Sequence, residues 1–333
     1  MTVRIGMNGF GRAGRAVLRT AHDRGLDVEI VAINDLADGP TLGRLLRRDS
    51  VFGRFGAPVE ADAETLVVDG RATRLLTERE PSRLPWGDLG VDVVLEMTGR
   101  FTARDAAAAH LASGAPHVIV SAPSKDADAT FVIGVNEETF DPDRHLVVSN
   151  GSCTTNCLVP MIKVLDDAFG LENGLMTTIH AYTGDQALVD SPHKDARRGR
   201  GAASNIVPTS SGAARATGLV LEDMVGRLDG LAVRVPVPDG SLTDLVALLS
   251  DTVSVDDVNA AFRAASSEGR LASVLEYVDE PLVSTDVISS PASCLFDSQL
   301  TMATGRLVKV FGWYDNEWGY SNRLAELAVI VGS

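Results

Sequence analysis

The chain has 333 residues, 45% of them hydrophobic and 23% charged, which supports sizeable cores and, at about 150 residues per domain, roughly two domains. Thirty Lys and Arg against 45 Asp and Glu leave a net charge of −15, so bulk repulsion of polyphosphates argues against non-specific nucleic-acid binding. No apolar run is long enough to span a bilayer and no signal-peptide layout opens the chain; Cys153, Cys157 and Cys294 make no disulfide framework, so a reducing cytoplasm is expected.

In chain order, VRIGM (Val3–Met7) is a short apolar run ending at NGFGRAGR, after which Arg15–His22 reads as a helix. Val28–Asn34, Val91–Met97, His117–Ser121, Thr130–Gly134 and Leu146–Ser149 are further apolar strands, separated by helical stretches such as DAAAAHLASG. That alternation predicts βαβ units and a mostly parallel sheet. LMTTIHAYT, LAVRVPVP, SLTDLVALLS and LVSTDVI (Leu282–Ile288) then follow with few helices between them. They predict an α+β domain with a mostly antiparallel sheet. WGYSNRLAELAVIVG carries apolar residues at helical spacing and is expected to pack back on the first part. The expected domains are residues 1–151, completed by a helix over 318–333, and residues 152–317.

Gly9, Gly11 and Gly14 form GxGxxG between a strand and a helix. In that setting the first glycine permits the turn, the second admits a pyrophosphate to the backbone, and the helix N-terminus faces the anion. Asp35 ends the second strand at the distance where a carboxylate accepts hydrogen bonds from an adenosine ribose. It would repel a 2′-phosphate, so NAD is expected over NADP, bound by a Rossmann-type, doubly wound α/β domain.

SNGSCTTNCLVPMIKVLDDAFG places Leu158, Met161, Ile162, Leu165 and Phe169 at helical intervals, with the helix starting near Ser152–Cys153. A thiol in a first turn lies among unpaired N–H groups, which favour the thiolate and an oxyanion formed on attack. Cys294 reads as a core residue, and two cysteines supply too few ligands for zinc, so no metal is expected. His180 ends the strand LMTTIH just before an irregular loop, where a base for the thiol could stand.

MNGFGRAGR, SNGSCTTNCLVP, HAYTGDQ, PHKDARRGRGAASNIVPTSSGAA, VRVPVPDGS and WYDNEWGYSNR resemble, in order and across essentially the whole chain, the marker strings of phosphorylating glyceraldehyde-3-phosphate dehydrogenases. The resemblance implies that Cys153 is the nucleophile and His180 its base, working through a hemithioacetal and a thioester that inorganic phosphate releases. It implies that Thr183, Asp185 and Arg234 surround the substrate phosphate. Ser152, Thr154, Ser211 and Gly212 would surround the incoming one, with Arg198 lent to phosphate binding. For NAD it implies Phe10, Gly11, Arg12, Ala13, Asp35, Thr98, Ser121, Asn316 and Tyr320. It also implies a homotetramer, with the Arg-rich segment around Arg197 at a subunit interface, and no membrane or primary nucleic-acid role.

Ala13, Gly151, Gly184, Ser191 and Ser211 depart from the usual family pattern. Ser191 points to some NADP use, and the added glycines are expected to weaken order near the cysteine. Gly151 and Gly184 also suggest an isoform resistant to cysteine-directed inhibitors. An erythrose-4-phosphate dehydrogenase and a non-catalytic binding role compete with the phosphorylating activity as functions for the same chain.

Overall fold

The computed structural model describes residues 2–333, divided into two compact units. One holds the chain up to Phe131 with Asn136–Gly151 and Ser321–Ser333; the other holds Val132–Val135 and Ser152–Tyr320.

The first unit is built on a nine-stranded sheet. From one edge its strands run Ala129–Thr130, Val147–Ser149, His117–Val120, Val93–Glu96, Val3–Asn8, Val28–Asn34, Arg71–Leu76, Thr65–Val68 and Val59–Ala61. All neighbours are parallel as far as Arg71–Leu76, and the last two pairings are antiparallel. The central strands are apolar on both faces because both are covered: Val93, Val94, Leu95, Ala32 and Ile33 are wholly buried. Three strand ends align, with Asn8 in register with Asn34 on one side and Glu96 on the other.

One strand expectation and one helix expectation here need correction. Thr130–Gly134 keeps only Ala129–Thr130 as strand; beyond Phe131 the chain turns away, and Val132–Val135 belongs to the second unit. The Ala-rich stretch splits into two short helices, Arg104–Ala107 and Ala109–Ala112.

The second unit carries a mixed, mainly antiparallel sheet in the order Val207–Ser210, Leu228–Val235, Leu171–Ala181, Ser241–Leu249, Leu307–Tyr314, Cys294–Asp297 and Leu275–Val278. The helix Cys153–Phe169 packs on one face of it and is buried from Thr154 to Ile162 and again at Val164 and Leu165. Gly312 lies under that helix: a Cβ there would stand 2.6, 2.7 and 3.0 Å from the sulfurs of Cys294, Met161 and Cys157. The opposite face turns Leu175, Leu231 and Leu307 outward. LVSTDVI is not a strand. Val283 N–H bonds Asp286 Oδ2, Ser289 adopts φ 68°, and Val287 drops into a small core with Val278, Ala292 and Leu295, against which Leu282 packs half-buried. Trp318–Val331 is helical.

Candidate active site

Ser152 caps the helix Cys153–Phe169, its Oγ accepting the Thr155 N–H at 3.0 Å, so Cys153 takes the first helical position. The strand Leu171–Ala181 brings His180 to it, with Nε2 3.4 Å from Sγ. His180 Nδ1 lies 2.7 Å from Ala181 O, which can only accept, and 3.2 Å from Arg234 Nη1, which can only donate; the shorter contact puts the ring proton on Nδ1, leaves the Arg234 approach without a bond, and turns the Nε2 lone pair to the thiol. Tyr314 stands edge-on to the imidazole at 5.9 Å, and its hydroxyl joins Thr154 Oγ1 (2.9 Å) and Thr178 Oγ1 (2.8 Å). Residue pairings 160 and 136 positions apart are invisible in sequence, so Tyr314 was not among the expected residues.

Arg234 is in register with His180 on the neighbouring strand. Its Nη1 donates to Thr183 Oγ1 at 2.9 Å and Ala181 O at 3.2 Å, while its buried Nε meets no acceptor. Thr183 Oγ1 donates to Asp185, whose other oxygen accepts from Arg198 Nη1 at 2.6 Å. Thr183, Asp185, Arg198 and Arg234 therefore form one chain beside His180. Within it Arg234 has a donor to spare, the feature a phosphate oxygen requires. Arg198 is more committed than expected, because Nε binds Thr209 Oγ1 at 2.9 Å and Nη2 approaches Ser210 O at 3.3 Å. The Thr154 hydroxyl meets the Tyr314 hydroxyl, and Thr154 also hydrogen-bonds the Cys153 sulfur through its backbone N–H and its side chain. Ser211 Oγ accepts from Ala213 N at 3.3 Å ahead of a short helix, and Gly212 is exposed.

Burial dominates the electrostatics of the pair. It pushes the Cys153 thiol up to about 11, against the Arg234 charge and the Thr154 hydrogen bonds, and pushes His180 down to about 3, with Arg234 adding to the effect. The resting pair is thiol and neutral imidazole. Dehydration of Sγ thus works against the first-turn donors that favour the thiolate.

A second buried group lies behind the site. Asp239 is 1% exposed, its Oδ1 accepts from Gly240 N, and its Oδ2 has no donor. Asp315 already accepts from the backbone N–H groups of Ser289, Glu317 and Trp318. Burial, then the charges of Asp315 and Glu317, pushes Asp239 up to about 9. The native state thus holds a proton that an unfolded Asp, with a value of 3.8, releases, so stability falls as pH rises from about 4 to about 9. Asp239→Asn removes that loss. It is expected to raise stability at pH 8 by about 1–3 kcal/mol and to flatten the pH dependence. Thermal unfolding of both proteins across this range checks it, and parallel curves would refute it.

Gly151 has φ 64°, where any side chain is strained, so a glycine here relieves the backbone rather than weakening it. A Cβ on Gly184 would meet nothing within 4 Å.

In the first unit, Gly9 makes the turn after the strand Val3–Asn8 with φ 101°; a Cβ there would lie 2.9 Å from the Met97 carbonyl carbon and the Thr98 nitrogen. Gly11 faces open space, and the helix Arg12–Asp23 starts with no side-chain cap, which fits a pyrophosphate at the turn. Asp35 closes the turn, with Oδ2 accepting from Phe10 N at 2.8 Å and Oδ1 from Ala37 N at 2.9 Å. Each oxygen keeps a lone pair for a ribose hydroxyl. The Phe10 ring is buried and Arg12 is paired with Asp49 at 2.9 Å, so these two meet a cofactor less directly than Gly11 and Asp35. Ala13 is half-buried at the helix start, and Ser121 donates its N–H to Glu96 O at 3.0 Å. In the second unit, Asn316 Oδ1 accepts from Ser241 Oγ at 2.6 Å, and that hydroxyl accepts the Ala181 N–H at 3.1 Å. The Asn316 amide is thereby fixed with its NH₂ as the remaining donor. Tyr320 is buried. Among the described residues no group of three or more His, Cys, Asp or Glu is placed to hold a metal, and no helix is long and apolar enough to cross a membrane.

Residues 3–104 match the family model of the glyceraldehyde 3-phosphate dehydrogenase NAD binding domain, and residues 152–316 that of its C-terminal domain. Glyceraldehyde-3-phosphate dehydrogenase of Streptomyces coelicolor is 55% identical over 334 residues. Glyceraldehyde-3-phosphate dehydrogenase 1 of Streptomyces arenae is 56% identical over 333 residues, and that of Mycobacterium avium 55% over 338. Each alignment covers 100% of this chain and 99% of the relative. Likeness of this extent, in both halves and without a break, leaves one conclusion: the chain belongs to the glyceraldehyde 3-phosphate dehydrogenase family.

Proposed function

We propose that this protein oxidises glyceraldehyde 3-phosphate with NAD and inorganic phosphate to 1,3-bisphosphoglycerate, the glycolytic reaction. The observation that carries the reading is the 3.4 Å approach of a helix-start thiol to an imidazole lone pair, next to a buried Arg234 donor without a partner. Cys153 Sγ adds to the aldehyde carbon, and its proton passes through His180 Nε2 to the carbonyl oxygen, giving a hemithioacetal. His180 then takes the hydroxyl proton as hydride leaves the carbon and a thioester forms. NAD, when bound, is the hydride acceptor. Phosphate oxygen attacks the thioester carbon, the C–S bond breaks, and the departing sulfur recovers its proton from His180. Arg234 offers its Nε–H to the substrate phosphate, while the Asp185 carboxylate orients Thr183 and Arg198 beside it. Ser152, Thr154, Ser211 and Gly212 take the attacking one, with the Arg198 charge nearby. Gly11, Asp35, Thr98 and Ser121 support the cofactor, aided by the Phe10, Arg12 and Ala13 backbone. Asn316 donates to the carboxamide and Tyr320 lies beside it. The test is NADH production from glyceraldehyde 3-phosphate with and without phosphate, which is expected to require phosphate. Turnover undiminished without it would favour thioester hydrolysis instead, as in an erythrose-4-phosphate dehydrogenase.

Asp35→Gly removes both the charge that repels a 2′-phosphate and the anchor of the Phe10 N–H. The ratio of NADP to NAD use is expected to rise about 10–100-fold, the equivalent of about 1–3 kcal/mol for one charge-assisted contact. Parallel kcat/KM measurements check this. A wild type that already prefers NADP would overturn the reading of Asp35.

A cytoplasmic homotetramer is part of the same proposal. Its support is the outward sheet face of the second unit, with Leu175 67% and Leu307 49% exposed, and the Arg-rich segment, where Leu188 and Val189 are 80% and 73% exposed. A fully active species of 35.2 kDa by light scattering would refute it.

A further inference from the structure

Below the glycine turn, three adjacent parallel strands end on polar residues that are almost wholly buried: Asn8, Asn34 and Glu96. Glu96 is the hub. Its Oε1 accepts from the Thr98 N–H at 2.8 Å and from the Thr98 hydroxyl; its Oε2 lies 2.5 Å from Asn8 Nδ2 and 3.0 Å from His110 Nε2. Asn8 Oδ1 in turn accepts from Asn34 Nδ2 at 2.7 Å, and Asn34 is clamped to the Glu78 backbone on both sides of its amide. Four donors on two oxygens require an acceptor-only carboxylate.

The proton that completes this set is fixed from outside it. Trp86 Nε1 lies 2.9 Å from His110 Nδ1, and both residues are fully buried. An indole N–H can only donate, so Nδ1 accepts and the ring proton must sit on Nε2, pointing at Glu96. The 3.4 Å approach of Asn8 Nδ2 to the same ring nitrogen is then a meeting of two donors and no bond. Residues 97–98, which Glu96 holds, are those against which Gly9 packs.

We propose that Glu96 is a positioning residue for the dinucleotide, holding Asn8 and Thr98 under the glycine turn, and that Trp86 enforces this by fixing the tautomer of His110. The proposal rests on the reading that NAD lies over the Gly9–Gly14 turn beside Asp35.

The test uses the tautomer. Glu96→Gln puts an NH₂ where donors already point: on the Oε2 side at Asn8 Nδ2–H and His110 Nε2–H, on the Oε1 side at the Thr98 N–H. Asn8 is held by Asn34, and His110 by Trp86. Replacing Trp86 by Phe releases Nδ1 to carry the proton, so Nε2 can accept from the new amide; that removes the conflict with His110 and leaves the one with Asn8. By calorimetric titration, Glu96→Gln is expected to bind NAD about 10–100-fold more weakly, with kcat at saturating NAD within about twofold of wild type. Trp86→Phe alone is expected to change the affinity about twofold. The double variant should regain about threefold of the lost affinity, the share owed to His110, although it melts at a lower temperature than either single variant. Nitrogen NMR of the NAD-free proteins should find the His110 proton on Nε2 in wild type and on Nδ1 in the double variant. A double variant that binds as weakly as Glu96→Gln, or a Glu96→Gln affinity within twofold of wild type, would overturn the proposal. Asp35→Gly is the control: if it too leaves NAD binding unchanged, the cofactor reading of the turn fails, whereas a weakened Asp35→Gly beside an unaffected Glu96→Gln refutes only the role of Glu96.

Discussion

Cys153→Ser is expected to abolish aldehyde oxidation, while Cys157→Ser and Cys294→Ser retain most of it. Only Cys153 has a base at 3.4 Å and any exposure to a substrate. Cys157, one turn on, is fully buried and directs its thiol at Gly312 O at 3.5 Å; Cys294 is fully buried beside it. A serine hydroxyl is a far weaker nucleophile than sulfur and resists deprotonation by the same imidazole. At Cys157 or Cys294 the exchange puts a hydroxyl into an apolar site, a loss of about 1–3 kcal/mol of stability rather than of chemistry. NADH production together with thermal unfolding separates the two effects. Comparable turnover in Cys153→Ser and wild type would end the assignment of the nucleophile.

His180→Asn is expected to slow acylation by roughly 10²–10⁴-fold, the range for loss of a general base. Asparagine can keep a hydrogen bond to Ala181 O but offers sulfur no basic lone pair, so packing against Tyr314 is disturbed far less than proton transfer. Because burial and Arg234 hold the imidazole neutral down to about pH 3, the free enzyme carries the same form of His180 at pH 6 and pH 8. The fold-loss should therefore be the same at both. Pre-steady-state formation of NADH measures it; a loss that appears only at the higher pH would mean that the imidazole titrates near neutrality in the free enzyme and that the neutral resting pair is wrong.

The parallel and antiparallel sheets were legible because apolar runs such as VDVVLEM alternate with helical stretches in the first half, whereas LMTTIHAYT, LAVRVPVP and SLTDLVALLS follow one another with few helices between. The helix at Cys153 was legible from its apolar spacing and the serine before it. LVSTDVI misled because a short apolar segment in that series reads as one more strand, yet Asp286 folds back on Val283 and Ser289 takes a left-handed turn to reach Asp315. The three strands over Val59–Leu76 escape notice because arginines and acidic residues interrupt their apolar positions. Cys153 and His180 stood out through their local settings. Tyr314, Asp239 and the Glu96 hub did not, since each acquires its meaning only from partners far away in the chain, and a buried carboxyl reads in sequence like any surface one.

Gly312 touches no reacting group, and its neighbours are three sulfurs from two elements. Two of these, Cys157 and Met161, belong to the helix whose first residue is the nucleophile. A close-packed interior yields little, and a helix transmits a push along its axis almost as a rod. Any side chain at Gly312 would therefore have to be accommodated by shifting Cys294 or by lifting the helix, and lifting the helix moves Sγ relative to Nε2. Laboratory evolution of this enzyme should thus treat Gly312 as a hidden part of the catalytic alignment: a substitution chosen there only for its stability would reset the distance on which the thiol and the imidazole depend.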